Sequence, residues 1–477
     1  MRHISQREIT TTQPANQQPA DKQSTRLEGE SIPRRWYWLG IALLVVSILL
    51  HQPLLVVIGL LLILVLLLTD VWSHYCLHSL RYRRRLSEQR ANFGEQVTFT
   101  LSIENAKLLP LPWLEVHERV PQTLVVSDGK STTGSGTLLK LLFSVRWYER
   151  VSRRYTVACT ARGVHTFGPT EVFSGDAFGF VKRQMRLDAR DYLLVYPLVA
   201  PLTSFGLPAR HPFGDRTVPR HLLEDPLRIV GVRDYTYGDS LRRVNWKATA
   251  RTLQLQSNIY ESTTTYTLVL FLNIASMLDM HYGFRPDFQE LQVCVAASMA
   301  SWAIEQDYAV GLHANTYMSI PDENETPDAQ GTASSLQERL RAQMSRRRIS
   351  IPATSNPNQL ARILDTLARI QTFFHTDIAE SMLAESARLP AGTTVVLVTT
   401  MLSEQVINVL LRMRRNGHTV AVLFVGDTPP SITLAGIALY YLGGEETWEK
   451  LLAEYGGEAH KKEEAMATSA GDAGFRL

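Results

Sequence analysis

Apolar residues are distributed unevenly along this chain. Between Arg35 and Asp70 no charged residue occurs for 34 positions, and two apolar blocks, 36–50 and 54–68, flank His51, Gln52 and Pro53. One straight helix over that stretch would run about 51 Å at 1.5 Å per residue, well beyond a hydrocarbon core of about 30 Å. Two passes fit better, and a proline that cannot donate to a helical ladder marks a turn at Gln52 and Pro53. Each pass, on the order of 16 residues, is short against the usual 20 and needs interfacial flanks or local thinning. Trp36, Tyr37 and Trp38 open the first pass, and Trp72 and Tyr75 close the second, which places an aromatic belt on one side. Arg34 and Arg35 before the hairpin, with Arg81, Arg83, Arg84 and Arg85 after it, direct both termini to the cytoplasm. The pattern thus predicts a two-pass transmembrane hairpin over 34–75 in a multi-pass cell-membrane protein with cytoplasmic soluble domains. A buried core hairpin and a signal sequence are the rivals; the polar leader and the lack of a small-residue cleavage site weigh against the latter.

Residues 1–33 are rich in Gln, Thr, Ser and charge and are expected to form a disordered cytoplasmic tail. From 80 to 200 the pattern changes to short alternating runs. Val97, Phe99, Leu101 and Ile103 alternate with polar neighbours, and further runs lie at 113–117, 138–145, 155–159 and 170–173, which together predict a β-sandwich. Residues 201–265 read as a connecting segment. From 266 to 456, runs at 266–272, 308–313, 394–399, 420–425 and 437–442 alternate with helical stretches at 288–305, 359–370 and 404–415, the last with Gly417 in the position of a stop. This alternation predicts a three-layer α/β domain with a mainly parallel sheet. Residues 321–335 are a polar insertion, 457–477 a flexible tail, and no repeat is evident.

Composition adds exclusions. A chain of 477 residues suggests about three units at roughly 150 residues each. With 45% apolar and 20% charged residues, a mean hydropathy of -0.07 is high for that charge and reflects the local concentration of apolar residues. Forty-nine Lys and Arg against 46 Asp and Glu give +3, too balanced for a broad nucleic-acid face. Cys76, Cys159 and Cys294 form no Cys-x-x-Cys pair, so neither a disulfide framework nor a cysteine zinc site is supported.

The most distinctive stretch, RDYTYGDSLRRVNWKATAR, spans 233–251. Gly238 permits a turn that a side chain would resist, and Asp239 is placed to cap a helix from Ser240. Leu241, Val244 and Ala248 would share one face of that helix. Arg242, Arg243, Lys247 and Arg251 would occupy the rest, with Trp246 among them. Three readings follow from the residues. The helix packs by its apolar face while Arg233 or Arg251 bridges to Asp234 or Asp239; it is a partner-binding surface; or its N-terminus takes a phosphate.

The order Arg233-x-Tyr235-x-x-Gly238-Asp239, then Trp246 and Ala250-Arg251, resembles the signature of the bacterial family catalogued as domain of unknown function number 58. Arg162-Gly163 with Gly168-Pro169, the segment from Asp176 to Phe180, and Val195-Tyr196-Pro197 are similar to that family's upstream segments. Ala177 and Val244 depart mildly from it. The likeness covers roughly 36–456. It implies a membrane-anchored protein with a β-sandwich followed by a von Willebrand factor A-like domain, encoded beside MoxR-type AAA+ ATPases and transglutaminase-like membrane proteins. A von Willebrand A domain holds Mg²⁺ through Asp-x-Ser-x-Ser. Here those positions carry Asn273, Ala275 and Met277, with Thr399 and Thr400 at a later strand end and Asp279 nearby. Hard cations need oxygen ligands, including carboxylates, so no metal and no cofactor is expected.

Lookalikes fail on context. Gly129-Lys130-Ser131 imitates a phosphate loop, but Leu124 stands where its first glycine belongs. His74 and His78 flank Cys76 without a further ligand pair. Arg339, Arg341 and 346–348 form a basic patch, by default a solvated face, with anionic headgroups the sharper alternative. No catalytic motif appears. The expectation is a non-enzymatic membrane-anchored scaffold or adaptor, in contact with the lipid bilayer and protein partners in envelope-associated assembly or maturation. The resemblance points to a MoxR-type ATPase as partner. Arg233, Tyr235, Gly238, Asp239, Arg242, Arg243, Trp246 and Arg251 are its candidate motif and partner-binding residues. The alternative is a metal- or ligand-dependent enzyme or sensor using the strand-end crevice of the α/β domain.

Overall fold

The computed structural model describes residues 25–29, 34–50, 53–127, 132–133, 138–176, 181–208, 224–262, 266–275, 285–318, 348–374, 377–390 and 392–456. The expected insertion at 321–335, the basic patch up to 347, the phosphate-loop lookalike at 129–131 and the tail from 457 lie outside them.

Two helices, Arg34–Leu49 and Pro53–Tyr75, pack against each other. Pro53 opens the second helix, where its missing N–H costs nothing, and that helix runs past the apolar block through Asp70 to Tyr75. Its 23 residues are long and apolar enough to cross a membrane, whereas the first helix carries only the shorter apolar segment Trp36–Val46. The expectation of disorder over 1–33 is corrected at Thr25–Gly29, a strand antiparallel to Lys182–Leu187 with Thr25 opposite Leu187 and Gly29 opposite Arg183. The partner strand would otherwise end its sheet, and an open edge offers backbone groups that even a polar segment can pair with.

Residues 80–195, together with Thr25–Gly29, build two five-stranded sheets and a three-stranded one of Gly163–Phe167, Asp191–Val195 and Arg90–Ala91, all sharing one core. The first orders Thr25–Gly29, Lys182–Leu187, Thr170–Gly175, Leu111–Arg119 and Leu138–Val145; the second orders Leu80–Leu86, Gln96–Asn105, Arg150–Ala158, Val125–Ser127 and Thr132–Thr133. Alternation turns Val97, Phe99, Leu101 and Ile103 inward against Leu114, Val116, Leu141 and Phe143 of the other sheet. Phe99 stacks on Phe167 with centroids 5.1 Å apart. A polar cluster crosses the same core. Glu118, fully buried, accepts from Arg84, from Tyr82 Oη at 2.6 Å and from Thr170 Oγ1 at 2.6 Å, while Arg84 Nε donates to Asp191 at 2.6 Å. Arg84 is therefore no membrane flank: its side chain is 3% exposed and neutralises a buried carboxylate. Burial and the adjoining Glu118 push the Tyr82 phenol well above its ordinary value.

The remaining strands form a mixed sheet. Thr267–Leu272 lies between Ala309–Met318 and Thr394–Thr399, parallel to both; Thr419–Phe424 and Ala438–Tyr441 continue parallel outward. Arg348–Thr354 and Ile370–Phe374 pair antiparallel with Ala309–Met318, two strands the sequence pattern did not show. Leu268, Leu270 and Leu272 share a core with helix Pro286–Glu305, helix Gln359–Ala368 and Trp448 of helix Glu445–Tyr455. Val269 and Phe271 pack on the opposite face against helices Ile378–Ser386 and Glu404–Arg415. This is a sheet covered on both faces. The expected connecting segment 201–265 is not one piece: Leu202, Phe205 and Leu207, with Leu198 and Ala200 just before them, join the first of these cores, and Glu224–Asp234 pairs with Gln256–Ser262 as a separate hairpin.

Breaking a buried pair leaves an uncompensated charge, so Arg84→Met is expected to destabilise the chain by about 3–5 kcal/mol. Urea unfolding of the detergent-solubilised protein reads this as a lowered midpoint. Adding Glu118→Leu should recover much of the loss.

Candidate functional site

The 233–251 stretch sits in the hairpin formed by Glu224–Asp234 and Gln256–Ser262, and its first seven residues are a turn stapled by their own side chains. Arg233 donates to Asp239 Oδ1 and to Thr236 Oγ1, each at 2.8 Å. Thr236 donates through its N–H and its hydroxyl to Asp239 Oδ2, both at 3.1 Å, and Tyr235 Oη donates to the Asp239 carbonyl at 2.9 Å. Gly238 sits at φ +112° with open space where a side chain would point, so backbone conformation alone asks for glycine. The Thr236 N–H, its hydroxyl and the Arg233 charge hold the Asp239 carboxyl below the ordinary aspartate range.

The expected helix from Ser240 is corrected. Asp239 spends its oxygens on Arg233 and Thr236, so residues Leu241–Arg243 make only a 3-10 turn and the helix is Trp246–Thr252. Asn245 caps it, accepting from the Ala248 N–H at 3.0 Å while its own amide donates to Asn258 at 2.8 Å. No helix N-terminus faces outward at Ser240, which removes the phosphate reading there. Leu241 is exposed, so the shared face with Val244 and Ala248 does not form; Val244 alone is buried. Arg242, Trp246, Lys247 and Arg251 are exposed, Trp246 at 68%. Tyr237, Ile229, Leu253 and Leu255 add exposed apolar surface on the same hairpin. Of the eight motif residues, Arg233, Tyr235, Gly238 and Asp239 build the turn, Arg242, Trp246 and Arg251 are displayed, and Arg243 is half-buried.

The second candidate lies at the end of strand Thr267–Leu272, where neighbouring strands leave in opposite directions across the sheet, the usual place for a ligand crevice. Asn273, 3% exposed, donates through Nδ2 to Thr399 Oγ1 at 3.0 Å and accepts through Oδ1 from Asn315 Nδ2 at 2.7 Å and the Ala275 N–H at 3.3 Å. Asn315 Oδ1 accepts from the Ile274 N–H at 2.9 Å, and Gln292 donates to the Asn273 carbonyl at 2.7 Å. Thr400 Oγ1 donates to the Ala275 carbonyl at 2.7 Å. Met277 and Asp279 lie outside the described residues. Amide oxygens already held by N–H donors, with no carboxylate among the described residues that bond to Asn273, do not fit a hard divalent cation. Asn315 and Gln292 were missed in the sequence; Gln289 and Gln292, spaced three apart at the start of a helix whose middle is apolar, were the available signal.

A cavity of about 450 Å³ lies toward the start of the same strand, lined by Thr267, His313, Ser350, Glu385 and Arg388 among others. His313 stacks on Phe271 at 5.1 Å, and burial pushes its imidazole below the ordinary value, leaving it neutral at neutral pH.

Residues 231–463 match the family model described as Protein of unknown function DUF58. The uncharacterized protein YeaD of Bacillus subtilis (strain 168) is 24% identical over 243 residues, covering 50% of this chain; the chain spans only 56% of that relative's length. Among solved structures, a CARDB domain from Pyrococcus furiosus and a cohesin module from Clostridium perfringens each cover 24% of this chain at 10% identity, with 91% and 96% of their own lengths matched. Their TM-scores are 0.17 and 0.19, too low to carry a statement about fold.

Two expectations follow from these sites. Thr399 Oγ1 donates to the Met401 carbonyl at 2.6 Å, so it can only accept from residue 273. Asn273→Asp would then oppose two acceptors and should cost about 1–3 kcal/mol, read as a lowered unfolding midpoint. In the turn, the depressed carboxyl of Asp239 keeps the staple closed above the ordinary aspartate range and releases it as pH falls through the lowered value. Asp239→Ala at neutral pH should therefore raise deuterium uptake at 236–239 while the global unfolding midpoint stays unchanged.

Proposed function

We propose, for a chain whose residues 231–463 belong to the DUF58 family, that it is a membrane-anchored scaffold which binds a protein partner through the hairpin at 224–262. The observation that carries this reading is the exposure of Tyr237, Leu241, Trp246 and Leu253 beside the exposed Arg242, Lys247 and Arg251. Exposed aromatic and apolar residues with two arginines and a lysine in the same segment resemble the composition of binding hot spots, and they suit a partner surface that is apolar with an acidic rim. The turn stapled by Arg233 and Asp239, and the helix capped by Asn245, hold that group in place. A MoxR-type AAA+ ATPase is the partner put forward, on the resemblance of the motifs.

The anchor is taken to be the two-pass hairpin. Thr25–Gly29 precedes both helices and Lys182–Leu187 follows them, so their pairing favours an even number of crossings. The arginines flanking the helices favour the cytoplasmic side. The α/β unit is read as von Willebrand factor A-like from its mainly parallel sheet, helices on both faces and order reversal beside Thr267–Leu272. The neutral network around Asn273 speaks for a domain used for its shape, without enzymatic activity.

With purified MoxR-type ATPase and the detergent-solubilised full chain, replacing Arg242, Arg243 and Trp246 together by alanine should weaken binding by about ten-fold or more. Unchanged affinity would remove this hairpin from the interface.

A further inference from the structure

One end of the β unit gathers several turns beside the helix that precedes it. Leu80–Leu86 begins there, shortly after helix Pro53–Tyr75 ends, and Gln96–Asn105 runs back antiparallel to reach the same end, with Leu80 opposite Asn105. Arg150–Ala158 departs from it, with Glu104 opposite Arg150. The ties to the helix exit are direct. The Ala106 N–H donates to the Ser79 carbonyl at 3.2 Å, and the Tyr148 N–H donates to the Lys107 carbonyl at 3.2 Å. Asn105, fully buried, clamps both turns by donating to the carbonyls of Leu109 and Arg146 at 2.9 Å each. In the other sheet Gly29 and Ser174 both lie opposite Arg183 at this end, and helix Pro53–Tyr75 contacts strand Thr170–Gly175.

The tips of these turns are apolar and aromatic. Leu108 is 73% exposed, Trp147 62% and Tyr148 67%. Tight turns ordinarily carry Gly, Asn, Asp or Ser. Tyr148 instead holds φ +51°, a left-handed conformation that costs an ordinary residue about 1–2 kcal/mol and that glycine or asparagine would take more readily. Turn chemistry therefore does not account for the side chain. Packing inside the chain does not account for it either, since the ring points into solvent. Exposed Arg146 and Arg150 flank the pair. Trp and Tyr beside arginine are the residues that settle at a membrane's headgroup level, and Tyr75, at the end of the apolar helix, is 54% exposed near the same end.

We propose that the turns 106–109 and 146–149 dock the β unit onto the bilayer, seating Leu108, Trp147 and Tyr148 in the phospholipid headgroup region of the leaflet from which helix Pro53–Tyr75 emerges. This rests on the membrane-anchored reading above. The tip is a further point of contact beside the two helix ends, so it sets the tilt of the β unit over the membrane. The Asn105 clamp transmits that tilt to both sheets through rigid strands.

The test uses the full chain reconstituted in phosphatidylcholine and phosphatidylglycerol vesicles, with an environment-sensitive fluorophore on one engineered cysteine at a time. The native cysteines are buried, and the unsubstituted chain serves as the labelling blank. Leu108→Cys and Tyr148→Cys report the tip, Leu64→Cys the apolar helix, and Glu88→Cys the opposite end of the strand that starts beside the helix exit. Nitroxide lipids should quench the two tip labels several-fold more than the label at 88. Strong quenching at 64 with tip labels no better quenched than 88 overturns the docking and spares the anchor. Absence of quenching at 64 overturns the anchor and the docking with it. Tip labels shielded from aqueous iodide yet untouched by nitroxide lipids would mean that protein covers the tip, which also overturns the proposal.

Discussion

The side chain of Arg162, 6% exposed, lies between the two folded units. Its Nε donates to Glu290 at 2.7 Å, on the long helix of the α/β unit, and Nη1 donates to the Leu367 carbonyl at 2.9 Å. A guanidinium withdrawn from water costs several kcal/mol unless paired, so within this arrangement the units are held at one distance and one angle. Phe93 meets Trp448 edge-on at 6.4 Å across the same boundary. The segment that leaves the β unit continues the joint, because Leu198 to Leu207 sink into the α/β core and the Ala200 N–H donates to Ser298 at 2.9 Å. The orientation of the α/β unit against the β unit follows from this joint. Arg162 was visible in the sequence only as part of a motif; its role as a bridge depends on two helices more than 120 residues away.

Elements with strong local signals were legible and the others were not, for identifiable reasons. Thr394–Thr399 and Glu404–Arg415 match their expected bounds because an unbroken apolar run and a 3.6-residue period coincide with the Ser403 cap and Gly417 at φ +89°. Thr25–Gly29 and the hairpin strands are polar or mixed and gain their pairing from a partner, which no window of sequence contains. The misplaced helix start at Ser240 has a similar origin. Asp239 and Asn245 are both capable caps, and the choice falls to Asn245 because Arg233, six positions back, has already claimed the aspartate.

The strand end at Asn273 carries an amide and not a carboxylate. Replacing a carboxylate by an amide makes one residue both donor and acceptor. That lets Asn273 link Thr399 on one neighbouring strand with Asn315 on the other while the site stays neutral. In a low-dielectric interior these hydrogen bonds are strong, and among the described residues a cation at Asn273 would strip amide hydrogen bonds without meeting a carboxylate ligand. Asn273 stood out in the sequence, whereas Asn315 and Gln292, which bond to it, did not.

The two N-terminal helices differ in what they can do alone. Sixteen residues of helix rise about 24 Å, short of a hydrocarbon core of about 30 Å, whereas 23 residues rise about 35 Å. A short helix beside a long one gains most from close packing, and the contact between them is close: a Cβ on Gly59 would sit 3.4 Å from the Leu44 backbone, and one on Gly40 would sit 3.0 Å from the side chains of Leu62 and Ile63. Small residues at a helix contact let backbones approach and raise dispersion where lipid offers no hydrophobic drive. Under the two-pass reading, the shorter helix is therefore held in the bilayer by its partner more than by its own length. The strand ladder at Thr25–Gly29 then ties its outer end to the β unit, so that neither terminus of the pair is left to find its depth unaided.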